Sequence, residues 1–200
     1  MLFKVNVIFT TMEKIDTTSE LTNPQFVKPL LIKYTQKGIQ KTWEAVLSHD
    51  SVAILLYHTE KKSFVLVKQL RPAVLYSNKV DGKMYELCAG IVDKKLTHKE
   101  IAKEEILEEC GYNVPLEKIE KVSSFYTSVG ISGAKQTLYY ASIDDTMKET
   151  EGGGLEEEDI EVVYLPIIDA KAFMFDEKYQ KTPGMIMAFY WFFDTQLETS

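Results

Sequence analysis

The sequence predicts an α/β protein of the α+β kind, in which one mixed β-sheet is sandwiched between helices and a small N-terminal β-hairpin stands apart. Three observations carry this. Two short, β-branched apolar runs at 51–57 (SVAILLY) and 63–70 (SFVLVKQL) read as strands buried on both faces. A strand–loop–helix stretch occupies the middle of the chain at 86–112, and a long apolar helix closes it from Pro183. Strands alternating with a few helices, one of them central and others terminal, need helical layers on both sides of a sheet to bury them.

Taken in order, residues 1–10 (MLFKVNVIFT) are apolar, but Asn6 interrupts them and no small-x-small cleavage site follows, so they do not read as a signal peptide. Met12 opens a polar segment and suits a start of its own, which makes residues 1–11 an extension. We expect 1–24 to be a flexible arm and 25–200 one domain, because 200 residues suit one sizeable core better than two. An edge strand at 26–34 around Pro29, a turn at Gly38 and a partner strand at 42–47 predict a hairpin subdomain over 25–48. After the buried strands, Arg71 and Pro72 end the second run, and 78–83 with Asp81 and Gly82 turn back toward the central stretch. Beyond it come a connector at 114–121 and strands at 122–126 and 136–141. Between these lies the loop TSVGISGAK, whose small residues suit either a ligand-facing backbone or a plain hairpin connection. A Gly-rich acidic loop precedes a strand from Ile160, and Pro166 breaks into a short helix at 169–175. The last helix, 183 to about 197, is apolar on more than one face, so it packs against the sheet or a second subunit.

The central stretch is ELCAGIVDKKLTHKEIAKEEILEECGY. A strand-like approach through Leu87, Cys88 and Ala89 breaks at Gly90, crosses a polar loop, and enters a helix capped by Thr97 with Glu100 three residues on and ended by Gly111. At about 100° per residue, Glu105, Glu108 and Glu109 share one face, with Ile106, Leu107 and Cys110 pointing away from it into a core. Like charges at that spacing repel. A solvated acidic face is the plain reading, but hard divalent cations take several oxygen ligands, and a phosphate substrate supplies more. Clustered carboxylates beside a glycine loop therefore suit a metal-assisted phosphate site.

Composition narrows the function. A net charge of −7 without a strong basic cluster argues against nucleic-acid binding. No apolar run reaches the roughly 18 residues of a membrane span. Cys88 and Cys110 are the only cysteines and read as core residues of a reduced cytoplasmic protein. Arg71, at the end of a central strand, reads either as an exposed or ion-paired side chain or, through its planar fork, as a clamp for a diphosphate. The flexible acidic loop TEGGGLEEEDIEVVYL reads either as simply solvated or as carrying a carboxylate that activates water and closes over a metal.

Gly90, Glu105, Ile106, Glu108, Glu109 and Gly111 fall in register with the signature of the Nudix hydrolases, G-x5-E-x7-R-E-U-x-E-E-x-G-U, which this stretch resembles. Leu96 replaces its first Glu, Glu104 its Arg and Tyr112 its last aliphatic residue, and Lys103 is the nearest cation by sequence to stand in for the lost Arg. The likeness extends through HDSVAILL, VKQLRPAV and IEVVYLP and points to the branch that cleaves nucleotide sugars, with uridine diphosphate glucose and ADP-ribose pyrophosphatases as its members. It implies the Nudix fold and hydrolysis of a nucleoside diphosphate sugar, UDP-glucose to UMP and glucose 1-phosphate, or ADP-ribose. It implies Mg²⁺, or Mn²⁺, held by Glu105, Glu108, Glu109, the Ala89 carbonyl and Glu158, with Glu108 among the catalytic carboxylates and Arg71 and Glu86 on the substrate. It makes Glu156 the base and Glu158 a further ligand, with Glu157 open to either role. A homodimer assembled through the hairpin is implied as well. Leu96 and Glu104 raise an alternative, a catalytically weakened nucleotide-sugar-binding protein.

Overall fold

The computed structural model describes residues 13–78, 81–155 and 158–196. The reading of Met12 as a start and the residues that would carry the last helix to 197 lie outside these. Residues 13–24 form neither helix nor strand, and Glu13 meets Lys83 at 3.0 Å.

Two strands stand apart from the main sheet. β1 (Lys28–Gln36) and β2 (Ile39–Leu47) pair antiparallel over their full lengths. They are joined by only two residues, Lys37 and Gly38, both at positive φ, which suits the right-handed twist of a hairpin. That tight turn is why β2 begins at Ile39 rather than Thr42. The register opposes Ile32 to Trp43 and Leu30 to Ala45, so Leu30, Ile32, Tyr34, Ile39, Trp43 and Leu47 fall on one face. All six are exposed.

The seven remaining strands form one mixed sheet. β3 (Ser51–His58), β4 (Ser63–Leu70), β5 (Lys83–Glu86), β6 (Cys88–Ile91), β7 (Glu120–Tyr126), β8 (Lys135–Ile143) and β9 (Ile160–Pro166) pair antiparallel except for the parallel β3–β8 contact. β3 changes partner along its length: Ser51 to Ile54 pair with β6, Leu56 to His58 with β4. β4 pairs with β9 along one edge from Ser63 to Gln69, while on its other edge it leaves β3 after Val65 and pairs with β5 from Val67 to Leu70, so the sheet splays beside β6.

The alternation within β3 and β4 sorts the core into two layers. Val52, Ile54, Leu56, Val65 and Val67 face α2 (His98–Cys110) through Ile101, Ala102, Ile106 and Cys110. Ala53, Leu55, Phe64 and Leu66 face α3 (Ile167–Phe175) and α4 (Pro183–Thr195), where Phe64 stacks on Phe189 at 4.3 Å. The sheet is therefore covered by helices on both sides, as the two-sided hydrophobicity of its strands requires. One helix has no counterpart in the sequence expectation: α1 (Pro72–Asn78), which follows β4 and buries none of its residues. The strand entering the central motif also runs through Gly90 to Ile91 rather than breaking there.

Candidate active site

The motif helix starts as the sequence requires. Thr97 accepts from the Glu100 N–H while the Glu100 carboxylate accepts from the Thr97 N–H, and Gly111 caps the other end at φ 77°. The orientation of the glutamates differs from expectation. Glu109 is 6% exposed, on the packed side with Ile101, Ala102, Ile106 and Cys110, while Leu107 is only partly buried. Ile101 and Ala102, one to two turns earlier, complete the apolar arc, and Glu109 falls in its middle.

Burial is met by a specific partner. The Ala89 N–H donates to Glu109 Oε2 at 2.9 Å, tying β6 to α2. Glu105 lies against Gly90, where a Cβ would overlap its carboxylate, so only glycine lets strand and helix approach this closely. Burial pushes the Glu109 carboxyl up to about 8, countered by the hydrogen bonds from Ala89 and Cys88 and reinforced by Glu105 and Glu158. Glu105 is pushed up to about 7, by burial first and then by Glu108, with Lys94 opposing and Glu158 adding to the rise. Four motif and loop carboxylates thus share one field. Hard oxygen donors clustered in a partly buried site, beside a glycine that makes room for them, are of the kind that could hold a divalent cation.

Glu104, at the position of the signature's Arg, pairs with Lys94 at 2.7 Å. The bond to Glu104 raises the Lys94 ammonium above its ordinary value, with Glu108 and Glu105 adding. The cation near the glutamates is thus supplied from the loop before the helix, ten residues away, and not by Lys103. Leu96 is 37% exposed on the same loop.

Beside Ala89 a cavity of about 460 Å³ opens where the sheet splays. Arg71, Glu86 and Ala89 line one side, Phe125 and Gln136 another, and Pro183 and Gly184 at the start of α4 close it. Glu86 lies on β5 with its side chain 12% exposed and takes the Arg71 fork: Nη2 to Oε2 at 2.5 Å and Nε to both oxygens at 3.0 and 3.2 Å. Gln69 donates to the same carboxylate at 3.2 Å. The loop TSVGISGAK joins the antiparallel β7 and β8; Thr127 and Ser128 line the cavity, while Gly130 accepts from Trp43 Nε1 and Ile131 from the Val46 N–H. Phe125, Gln136 and Gly184 come together only through tertiary contacts and carried no sequence signal.

The structure thus brings Ala89, Glu105, Glu108, Glu109 and Glu158 together where β6 meets α2, with Arg71 and Glu86 beside Ala89 on the wall of the adjoining cavity. Glu156 and Glu157 lie outside the described residues. Among the described residues, one trio already has its ligand atoms within 4.8 Å of one another: His58, Glu60 and Asp145. His58 ends β3, away from the cavity, and Lys61 Nζ bonds Asp145 and lies 3.0 Å from His58 Nε2. That position already holds an ammonium group.

A mixed sheet between helices, with a glutamate-bearing strand–loop–helix beside a cavity of mixed apolar and polar lining, is the architecture expected of a Nudix-type hydrolase. No family model matches the chain. It is 38% identical over 197 residues to the uridine diphosphate glucose pyrophosphatase NUDT14 of Bos taurus, covering 84% of this chain and 88% of that protein. To the protein of the same name from Mus musculus it is 37% identical over 213 aligned positions, covering 91% and 96%. A GDP-mannose pyrophosphatase of Cronobacter sakazakii is 42% identical over 121 residues, 60% of this chain and 62% of that one. The chain belongs to the Nudix hydrolases.

Proposed function

We propose that this protein hydrolyses the diphosphate bond of a nucleoside diphosphate sugar, UDP-glucose first and ADP-ribose second, releasing from UDP-glucose UMP and glucose 1-phosphate. The observation that carries this is the meeting, at Ala89, of the buried Glu109 and half-buried Glu105 of α2 with a cavity edged by Arg71. Glu105, Glu109, Glu108, Glu158 and the Ala89 carbonyl are the residues assigned to hold Mg²⁺ or Mn²⁺. When bound, the cation neutralises diphosphate charge and makes phosphorus more electrophilic. Ala89 holds Glu109 in place through its N–H, and Arg71 orients the anion. Glu156, two residues before Glu158, is assigned the proton of the attacking water. The Lys94–Glu104 pair argues for activity over a weakened binder, since it retains a cation beside the helix despite the loss of Arg at 104. Measuring kcat/KM for UDP-glucose, GDP-mannose and ADP-ribose tests the substrate order: a clear preference for UDP-glucose supports it, and a preference for GDP-mannose overturns it.

Arg71 is expected to act through its planar fork. Arg71→Ala should raise KM about tenfold or more with a smaller effect on kcat, because a bidentate, charge-assisted contact is lost from the bound substrate. Arg71→Lys should rescue little, as a point charge cannot reproduce the fork. Steady-state kinetics with UDP-glucose read both.

We also assign a homodimer. A two-stranded sheet is marginal alone, and the six exposed apolar side chains on one face of the hairpin need cover. Ile32→Asp, placed in the middle of that face, should convert the dimer to monomer in sedimentation equilibrium while the seven-stranded sheet stays folded. Among the described residues no helix is long and apolar enough to cross a membrane. The buried free thiols of Cys88 and Cys110 suit the cytoplasm, the compartment we assign.

A further inference from the structure

The end of α2 is completed by a segment distant in sequence. The last carbonyls of a helix lack partners within it, and here they find them outside. Gly111 donates to Leu107, Gly154 to Glu108 at 3.0 Å, Gly153 to Glu109 at 2.9 Å, and Lys148 Nζ to Cys110 at 3.1 Å. Gly152, Gly153 and Gly154 all have positive φ, at 73°, 108° and 84°, a conformation that L side chains rarely adopt. A Cβ on Gly152 would overlap the Glu109 carbonyl, and one on Gly154 would overlap the Glu158 carboxylate. Beyond the glycines, Leu155 and Glu158 bond each other twice: the Leu155 N–H donates to Glu158 Oε2 and the Glu158 N–H to the Leu155 carbonyl, both at 2.9 Å. The segment composition suggests as flexible is thus docked on the helix that bears Glu105, Glu108 and Glu109.

We infer that Gly152–Gly154 is a positioning clamp: by bonding the backbone carbonyls of Glu108 and Glu109, it fixes Leu155 and, through the two bonds between Leu155 and Glu158, holds the Glu158 carboxylate beside those of α2. This rests on the assignment of Glu158 to the proposed site. The sequence must be glycine three times over because each residue takes a left-handed conformation, and the outer two also have no room for a side chain. The consequence is that Glu158 is set in place before any ligand arrives.

Gly153 offers the cleanest substitution. A Cβ there meets only the Ile160 carbonyl, at an ordinary 3.6 Å, so Gly153→Ala acts through backbone strain alone. With Mn²⁺ as the probe, read by electron paramagnetic resonance, Gly153→Ala and Glu158→Gln should each weaken binding about tenfold. The double variant should bind no more weakly than Glu158→Gln, because the clamp acts through that carboxylate. Unchanged Mn²⁺ affinity in Gly153→Ala, or losses that multiply in the double variant, would overturn the inference. Amide hydrogen exchange on the unsubstituted protein gives a check independent of variant folding: the Gly153 and Gly154 N–H groups should exchange as slowly as those of α2, and free exchange would equally overturn it. Neither readout needs turnover, so failure to hydrolyse nucleotide sugars would remove the proposed function and leave the clamp standing.

Discussion

Glu109→Gln is expected to lower kcat with UDP-glucose by about three orders of magnitude or more, with the fold retained. Glutamine keeps the size of the side chain and an oxygen that accepts from the Ala89 N–H, so β6 and α2 stay joined. What is lost is a negative charge in the middle of the ligand set, where burial makes every electrostatic contact stronger than in water. A neutral amide is a poor ligand for a hard cation. Circular dichroism and thermal unfolding should show a native protein while kinetics show the loss. Near-normal turnover would remove Glu109 from the site. Because Glu109 costs stability when ionised and unliganded, the same variant should be more stable than the parent at pH 8 in chelator.

That last point generalises to a pH dependence. The Glu109 carboxyl titrates near 8 in the folded protein, pushed up by burial, against roughly 4.3 in an unfolded chain. Between those values the folded state holds a proton that the unfolded state has released. Stability therefore falls as pH rises through this window and levels off above about 8. Glu105, pushed up to about 7, acts in the same direction. The expected loss from Glu109 between pH 5 and 8, in chelator, is on the order of a few kcal/mol. Divalent cations should flatten the slope by binding the ionised carboxylates of the folded state, and Glu109→Gln should remove most of it. Chemical unfolding at several pH values, with and without Mg²⁺, measures each part. An equal slope in Glu109→Gln would mean that another group titrates.

Much of this was legible from residue order. The β3 and β4 runs declared two-sided burial, Thr97 with Glu100 and Gly111 marked the ends of α2, and Pro183 marked the start of α4. α1 was missed because Pro72 reads equally well as the end of a strand or the first residue of a helix, and a seven-residue helix with no buried position leaves no periodic signal. Glu109 was misplaced because the apolar arc was drawn from Ile106, Leu107 and Cys110 only. Including Ile101 and Ala102 turns the arc and brings Glu109 into it. The Lys94–Glu104 pair and the Gly153 and Gly154 contacts join segments ten to more than forty residues apart, and no local pattern encodes such approaches. The cavity wall made by Phe125, Gln136 and Gly184 depends on how the sheet splays, which follows from strand pairing and not from any single stretch.

The central claim is that the motif carboxylates of this chain support cation-dependent cleavage of a nucleotide sugar. The most direct test is incubation of the purified protein with UDP-glucose and Mg²⁺ at mildly alkaline pH, then with excess chelator, with products separated by chromatography. The account predicts equal amounts of UMP and glucose 1-phosphate, abolished by chelator and by Glu109→Gln. No release of either product, or release that persists in chelator and in Glu109→Gln, would contradict it.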